Sequence, residues 1–222
     1  MKRVSHSTWA SILGVVYLGL MVNLLVLVAA APLVVLLITT DPVRSWPLLA
    51  AAAPLAAPAL TAAFAAFREN AAGETQVVRA FWRGWRATWR RAMLLGLAGT
   101  ALLVVLLVDV RALSDTAASV VLVPVLALLT VLVLATGLVG LSALAEAPGA
   151  RVRDIAKAAL YLSIRRWYLT ALSFAVLGVQ AALFTTMPAI AIGLTAAPAL
   201  YVVWANSRHT LRPVLDIEEV RA

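Results

Sequence analysis

The sequence predicts an all-α fold, a polytopic membrane helix bundle of six transmembrane helices with two amphipathic helices on the cytoplasmic face. Three observations lead there. The chain of 222 residues is 64% apolar and only 13% charged, against roughly 25% charged in a soluble domain. Its apolar residues come in runs near or above the ~20 residues needed to cross a bilayer core. Of its 18 Lys and Arg residues, all but Arg44 and Arg111 fall in every second gap between those runs. Loops rich in Lys and Arg stay on the cytoplasmic side, so both termini are expected there.

The elements follow in order, within one integral membrane domain over residues 1–222. Met1-Lys2-Arg3 and the apolar run behind it imitate a signal peptide, but Ile12 to Ile38 far exceeds a signal's 7–15-residue core. The run is therefore read as a retained first span, 11–38. At about 42 Å it is longer than a 30 Å core, so it must tilt, kink or protrude, with Pro32 in its outer half. Asp41-Pro42 and Trp46-Pro47 mark the outer interface, since proline suits helix starts and tryptophan headgroup level. The second span, 47–67, is built largely of alanine with Pro54 and Pro58 inside. Small side chains let helices approach closely, which places it within the bundle, and it is also the span expected to be kinked or broken. A third span covers 92–108 and a fourth 117–145, ended by Glu146-Ala147-Pro148-Gly149 turn chemistry. From Tyr168 to Ala205 no residue is charged. A single rod of that length would be nearly twice the core, so the run splits around Thr185-Thr186-Met187-Pro188 into spans 168–184 and 188–205.

Two basic segments lie between spans. Over 74–91 (ETQVVRAFWRGWRATWRR), Arg79, Arg83, Arg86 and Arg90 share one helical face. Val78, Phe81, Trp82, Trp85 and Trp89 occupy the neighbouring arc. Such a helix is expected to lie in the membrane surface, with tryptophan rings at headgroup depth and arginine heads on phosphate. Two other readings are packing on the bundle's own end and docking of a partner. Over 151–163, Val152, Ile155, Ala159 and Leu162 keep helical spacing on one side, with Arg153 and Lys157 on another. An offset of 78 positions pairs Val77 with Ile155, Arg79 with Lys157, Trp89 with Trp167 and Leu94 with Leu172. The pattern, a surface helix followed by two spans, reads as a parallel internal duplication.

Composition also narrows function. The net charge of +8 sits beside apolar spans, so the expected partner is a bilayer with anionic headgroups, and no nucleic acid. With no cysteine there is no disulfide, thiol nucleophile or Cys-ligated metal. His6 and His209 stand alone, so neither metal nor cofactor is expected, and no GxGxxG, GxxxxGK[ST] or GxSxG pattern occurs. No span carries an ionisable residue near its middle, which counts against a proton-coupled pump. Asn23 and Gln180 are the intramembrane polar residues, each expected to bond to another helix. Asp41, Asp109, Arg111 and Asp115 face the outside as solvated loops.

Asn23-Leu24-Leu25, then Pro58-Ala59-Leu60-Thr61-Ala62-Ala63-Phe64, then Phe81-Trp82-Arg83-Gly84-Trp85-Arg86 form a pattern that resembles the YesL family, also called DUF624, of bacterial integral membrane proteins. The resemblance is strongest from Asn23 to about Leu97, and the stretch from Pro32 to Pro58 is longer than in shorter members. It implies a bacterial cell-membrane protein without established activity. It also implies association with carbohydrate uptake systems of the ATP-binding-cassette type, whose sugar permease becomes a candidate partner. The expected function is thus a non-enzymatic accessory membrane protein. The alternatives are a transporter or channel for a small neutral solute and a lipid-interacting scaffold.

Overall fold

A computed structural model describes residues 6–219, with side-chain surroundings for residues 13–212. Lys2, Arg3 and Arg221, counted above as cytoplasmic charges, lie outside the described residues, as does the side chain of His6. The described chain is made of helices joined by short turns. The order is α1 (His6–Ala29), α2 (Ala31–Thr39), α3 (Trp46–Ala52), a 3₁₀ turn (Ala53–Leu55), α4 (Ala56–Ala71), α5 (Val77–Leu113) and α6 (Ser119–Glu146). Then come α7 (Val152–Arg165), α8 (Trp167–Thr186), α9 (Pro188–Ile190), a π turn (Ala191–Thr195) and α10 (Ala196–Glu219). Five stretches are long and apolar enough to cross a membrane, and a sixth pair, Leu13–Ala29 with Ala31–Thr39, is bent by 80°. The fold is therefore an all-α polytopic bundle of five or six spans.

Two expectations are refined and one needs correction. Of the tilt, kink or protrusion expected for the first span, 11–38, the structure shows a kink: the chain turns sharply between α1 and α2. Pro32 sits in the first turn of α2, where its missing N–H and fixed φ favour a new helix start over a continued one. None of α2's residues is buried. The span expected over 47–67 begins at Trp46, breaks into the 3₁₀ turn around Pro54 and reaches Ala71. The largest difference is at 74–91. This segment is no separate surface helix. It runs without interruption into the next span as one helix of 37 residues, about 55 Å long.

The reason lies in α4. Thr61 and Ala65 on α4 and Gly84, Thr88 and Ala92 on α5 are all buried, and α4 flanks both halves of α5. The backbones come close enough that a Cβ built on Gly84 would lie 2.6 Å from the Ala65 Cβ, and one on Gly96 2.7 Å from the Ala57 Cβ. Small residues at four-residue spacing are what permit such an approach. The turn joining the two helices closes with Glu74 N–H on the Glu69 carbonyl at 3.0 Å. Gly73 takes a φ of 96°, the left-handed conformation that a helix end of this kind asks of glycine.

At 151–163 the chain does form a helix of its own, α7. It buries Ile155, Ala159 and Leu162 and exposes Arg153 and Lys157. α7 packs on α6, whereas α8 packs on α10, so nothing holds α7 and α8 in line and the chain breaks at Arg166. Across the 78-position offset, Val77 and Ile155, Phe81 and Ala159, Gly84 and Leu162, and Ala92 and Thr170 are all buried.

The core is concentrated toward one end. Phe64, Phe67, Phe81, Leu144, Val203 and Trp204 are shielded there, while Leu102, Val105, Leu107, Val120, Val121 and Leu128 toward the other end are exposed. Water forces apolar side chains inward but hydrocarbon does not. The exposed surface changes from charged to apolar at Trp89–Arg91 on α5 and at Arg165–Trp167 between α7 and α8.

Candidate functional site: the basic end of the bundle

Helix α6 ends at Glu146 with carbonyls that have no partner within the helix. One arginine from another helix supplies partners there, and a second ties down the turn just beyond. Arg68 on α4 donates to the Ala145 and Glu146 carbonyls, and Arg91 on α5 donates to the Pro148 carbonyl. Positive charge at a helix C-terminus also complements its dipole. The Glu146 carboxylate accepts from Trp204 Nε1 at 3.0 Å and lies 3.9 Å from Arg208 Nε. Trp204 in turn meets Phe67 and Tyr201, with ring centroids 6.0 and 5.4 Å away. Four helices (α4, α5, α6 and α10) are thus tied at one level by carbonyl caps, one buried carboxylate and an aromatic cluster.

On this frame the sequence-predicted face of α5 divides. Phe81 is fully buried and Trp85 half-buried, stacked at 6.5 Å, so Phe81 belongs to the core and not to a membrane-facing arc. Trp82 and Trp89 are exposed, as are Arg79, Arg83, Arg86 and Arg90. Arg83 pairs with Glu69 of α4 at 3.0 Å, a contact worth at most about 1 kcal/mol at this exposure. The Arg90 guanidinium lies 5.4 Å from the Trp89 ring. Arg79 and Arg86 have no acidic partner among the described residues. The buried side of the helix fixes its rotation, so the basic side is held outward as a stripe.

Sequence reasoning gave Arg68 and Arg91 only as topology charges and Glu146 only as a helix end. Their work as cross-helix caps has no local signal, since each partner lies more than 50 positions away.

The intramembrane polar residues meet at one place. Asn23 Nδ2 donates to the Gly193 carbonyl at 2.8 Å, and Asn23 Oδ1 accepts from Ala197 N–H at 2.6 Å. Gln180 Nε2 donates to the Ala191 carbonyl at 2.7 Å, and its Oε1 accepts from the Thr195 hydroxyl at 2.8 Å. Both side chains therefore satisfy the backbone of the π turn before α10, where the ordinary helical ladder is broken. Asn23→Leu is expected to leave Gly193 and Ala197 unpaired and to cost about 1–2 kcal/mol. Thermal unfolding in mild detergent reads this directly, and an unchanged midpoint would mean that the π turn does not depend on Asn23.

Residues 9–110, from α1 almost to the end of α5, match the family model DUF624, protein of unknown function. Over that stretch the chain is similar to the DUF624 family. No curated protein and no solved structure matches the chain. The DUF624 match takes in Asn23, the close α4–α5 contact and the whole basic stripe. Helices α6 to α10, which supply Glu146, Trp204 and the π turn, lie beyond it.

Proposed function

We propose that the chain is a non-enzymatic accessory protein of the bacterial cell membrane that presents the α5 stripe, on the cytoplasmic side, to a membrane-protein partner. The observation that carries this reading is the continuity of α5. A helix lying in the membrane surface would turn away from its span. The 15 residues from Val77 to Arg91 instead continue the line of the span, for roughly 22 Å. Their basic face then stands off the bilayer, where a protein reaches it more readily than headgroups do. Charge-rich, tryptophan-bearing surfaces held rigid are favoured in protein recognition, because arginine and tryptophan bind strongly and little entropy remains to be lost. The distribution of Lys and Arg supports the cytoplasmic placement of this end. The resemblance to the YesL family supports a carbohydrate uptake system of the ATP-binding-cassette type as the source of the partner, its sugar permease first.

A solute pathway fits less well. The lateral cavity of about 530 Å³ between α4, α5, α6 and α8 is lined almost wholly by alanine, glycine, leucine and valine, with Thr100 its one hydroxyl. Asn23 and Gln180 are both engaged with backbone, which leaves a sugar little to bond.

The test is photocrosslinking in native membranes from a reactive residue placed at Trp89. The wild type is expected to yield one dominant membrane-protein adduct, a permease subunit. The reversed variant Arg79→Glu, Arg86→Glu, Arg90→Glu is expected to lose that adduct while melting at the wild-type temperature. A crosslink that survives the reversal, or labelling of lipid alone, would count against the proposal.

A further inference from the structure

The exposed side of α5 carries a spacing that charge alone does not require. Arg79, Trp82, Arg86 and Trp89 follow one another by steps of three, four and three residues, and all four are exposed. At 100° per residue they fall within an arc of about 80°, over an axial rise of roughly 15 Å. Alternating steps of three and four make the seam along which two helices pack side by side, each seam residue entering a gap between four residues of its neighbour. Along this stretch the seam is open, with Trp82 36% and Trp89 44% exposed. The same line is already used once inside the membrane. Seven residues beyond Trp89 it reaches Gly96, where a Cβ would lie 2.7 Å from the Ala57 Cβ of α4 and 3.2 Å from the Pro54 carbonyl oxygen. This chain fills the line within the span and leaves it uncovered off the bilayer.

The side chains on the line define what fits it. Arg79, Arg86 and Arg90 have no carboxylate partner among the described residues, and Arg83 draws on Glu69, which also lies 3.5 Å from Arg68. Arginine meets a carboxylate through a planar fork that favours two parallel hydrogen bonds. A ring as large as indole fits a seam only where the residues opposite are small or aliphatic, because the gap that receives it is limited in size. Two such rings held rigid in one line are strong anchors once covered. We infer that this stripe is one half of a helix–helix seam, and that the partner presents an acidic amphipathic helix of about 12 residues to it. Its carboxylates face Arg79, Arg86 and Arg90, and its small or aliphatic side chains face Trp82 and Trp89. The inference rests on the membrane-protein partner proposed above and names the chemistry by which α5 recognises it.

Benzoylphenylalanine placed singly at Trp82, Trp89 and Ala87 of the full chain tests it, with irradiation in native membranes and mapping of the attachment points by mass spectrometry. Ala87 is exposed on the same stretch but lies on the far side of the arginines from the tryptophans. The reporters at Trp82 and Trp89 are expected to attach to one partner segment, at points about seven residues apart. That segment should carry Asp or Glu at three- and four-residue spacing, and Ala87 should give no comparable adduct. Arg79→Glu with Arg86→Glu should lower both yields about tenfold or more at an unchanged melting temperature, since two exposed charge pairs are reversed. Attachment to separate segments, a segment without carboxylates, or equal yields at Ala87 and Trp89 would overturn the helix seam and leave the membrane-protein partner standing. Labelling of lipid alone from all three positions would overturn both.

Discussion

Replacing Phe81 with alanine is expected to destabilise the bundle by about 3–5 kcal/mol, the range for truncating a fully buried aromatic side chain. Trp82→Ala, one position along, is expected to cost less than about 1 kcal/mol. The contrast follows from position, not residue class. Phe81 has no exposed surface, while Trp82 is 36% exposed. The two rings touch edge to face at 5.6 Å. Denaturation in mild detergent, followed by tryptophan fluorescence, gives both numbers. If the whole aromatic arc met lipid or solvent alike, the two variants would behave alike. A large cost at Trp82 with little at Phe81 would mean that α5 is rotated from the orientation described.

Gly84→Leu is the second large effect, expected to cost about 3 kcal/mol or to prevent folding. Even the first added carbon meets the Ala65 Cβ at 2.6 Å, with the Ala62 Cα behind it at 3.6 Å. Alanine has no flexible end that could move aside, so α4 and α5 must separate. Separation would also break the contact that keeps the two halves of α5 in line. Gly99→Ala makes the control, because nothing lies within 4 Å of a Cβ there. Folded yield and melting temperature should fall steeply for Gly84→Leu and stay near wild type for Gly99→Ala. Equal tolerance at both positions would contradict the close α4–α5 approach.

These two positions also show what the sequence could and could not say. Apolar run length located the spans, because bilayer thickness sets a length that any spanning helix must meet. Asn23 and Gln180 stood out because an amide in an apolar run needs a partner. That both would meet the same π turn was hidden, since nothing in Ala191-Ile192-Gly193-Leu194-Thr195 distinguishes a π turn from ordinary helix. The helix limits around Trp89-Arg90-Arg91 and Arg165-Arg166-Trp167 read alike, yet only the second is a break. What decides is which neighbour each half packs on. α4 runs beside all of the relevant part of α5, while α7 and α8 take different partners. That information is tertiary and has no local residue code. Phe81 was assigned to the aromatic arc by its angle on a helical wheel, which cannot tell a core face from a membrane face when both are apolar.

The reading of α5 as a rigid stalk that carries the basic stripe off the bilayer rests on one distance. The chain has no cysteine, so a pair of cysteines introduced at Val78 and Leu102, both exposed, takes spin labels at those two sites alone. Pulsed electron–electron spectroscopy on the protein in lipid nanodiscs then measures the end-to-end separation. One continuous helix predicts a single narrow distribution with backbone separation of about 36 Å. A surface helix turning at right angles near Ala92 would bring the labels to about 26 Å, and that result would contradict the account.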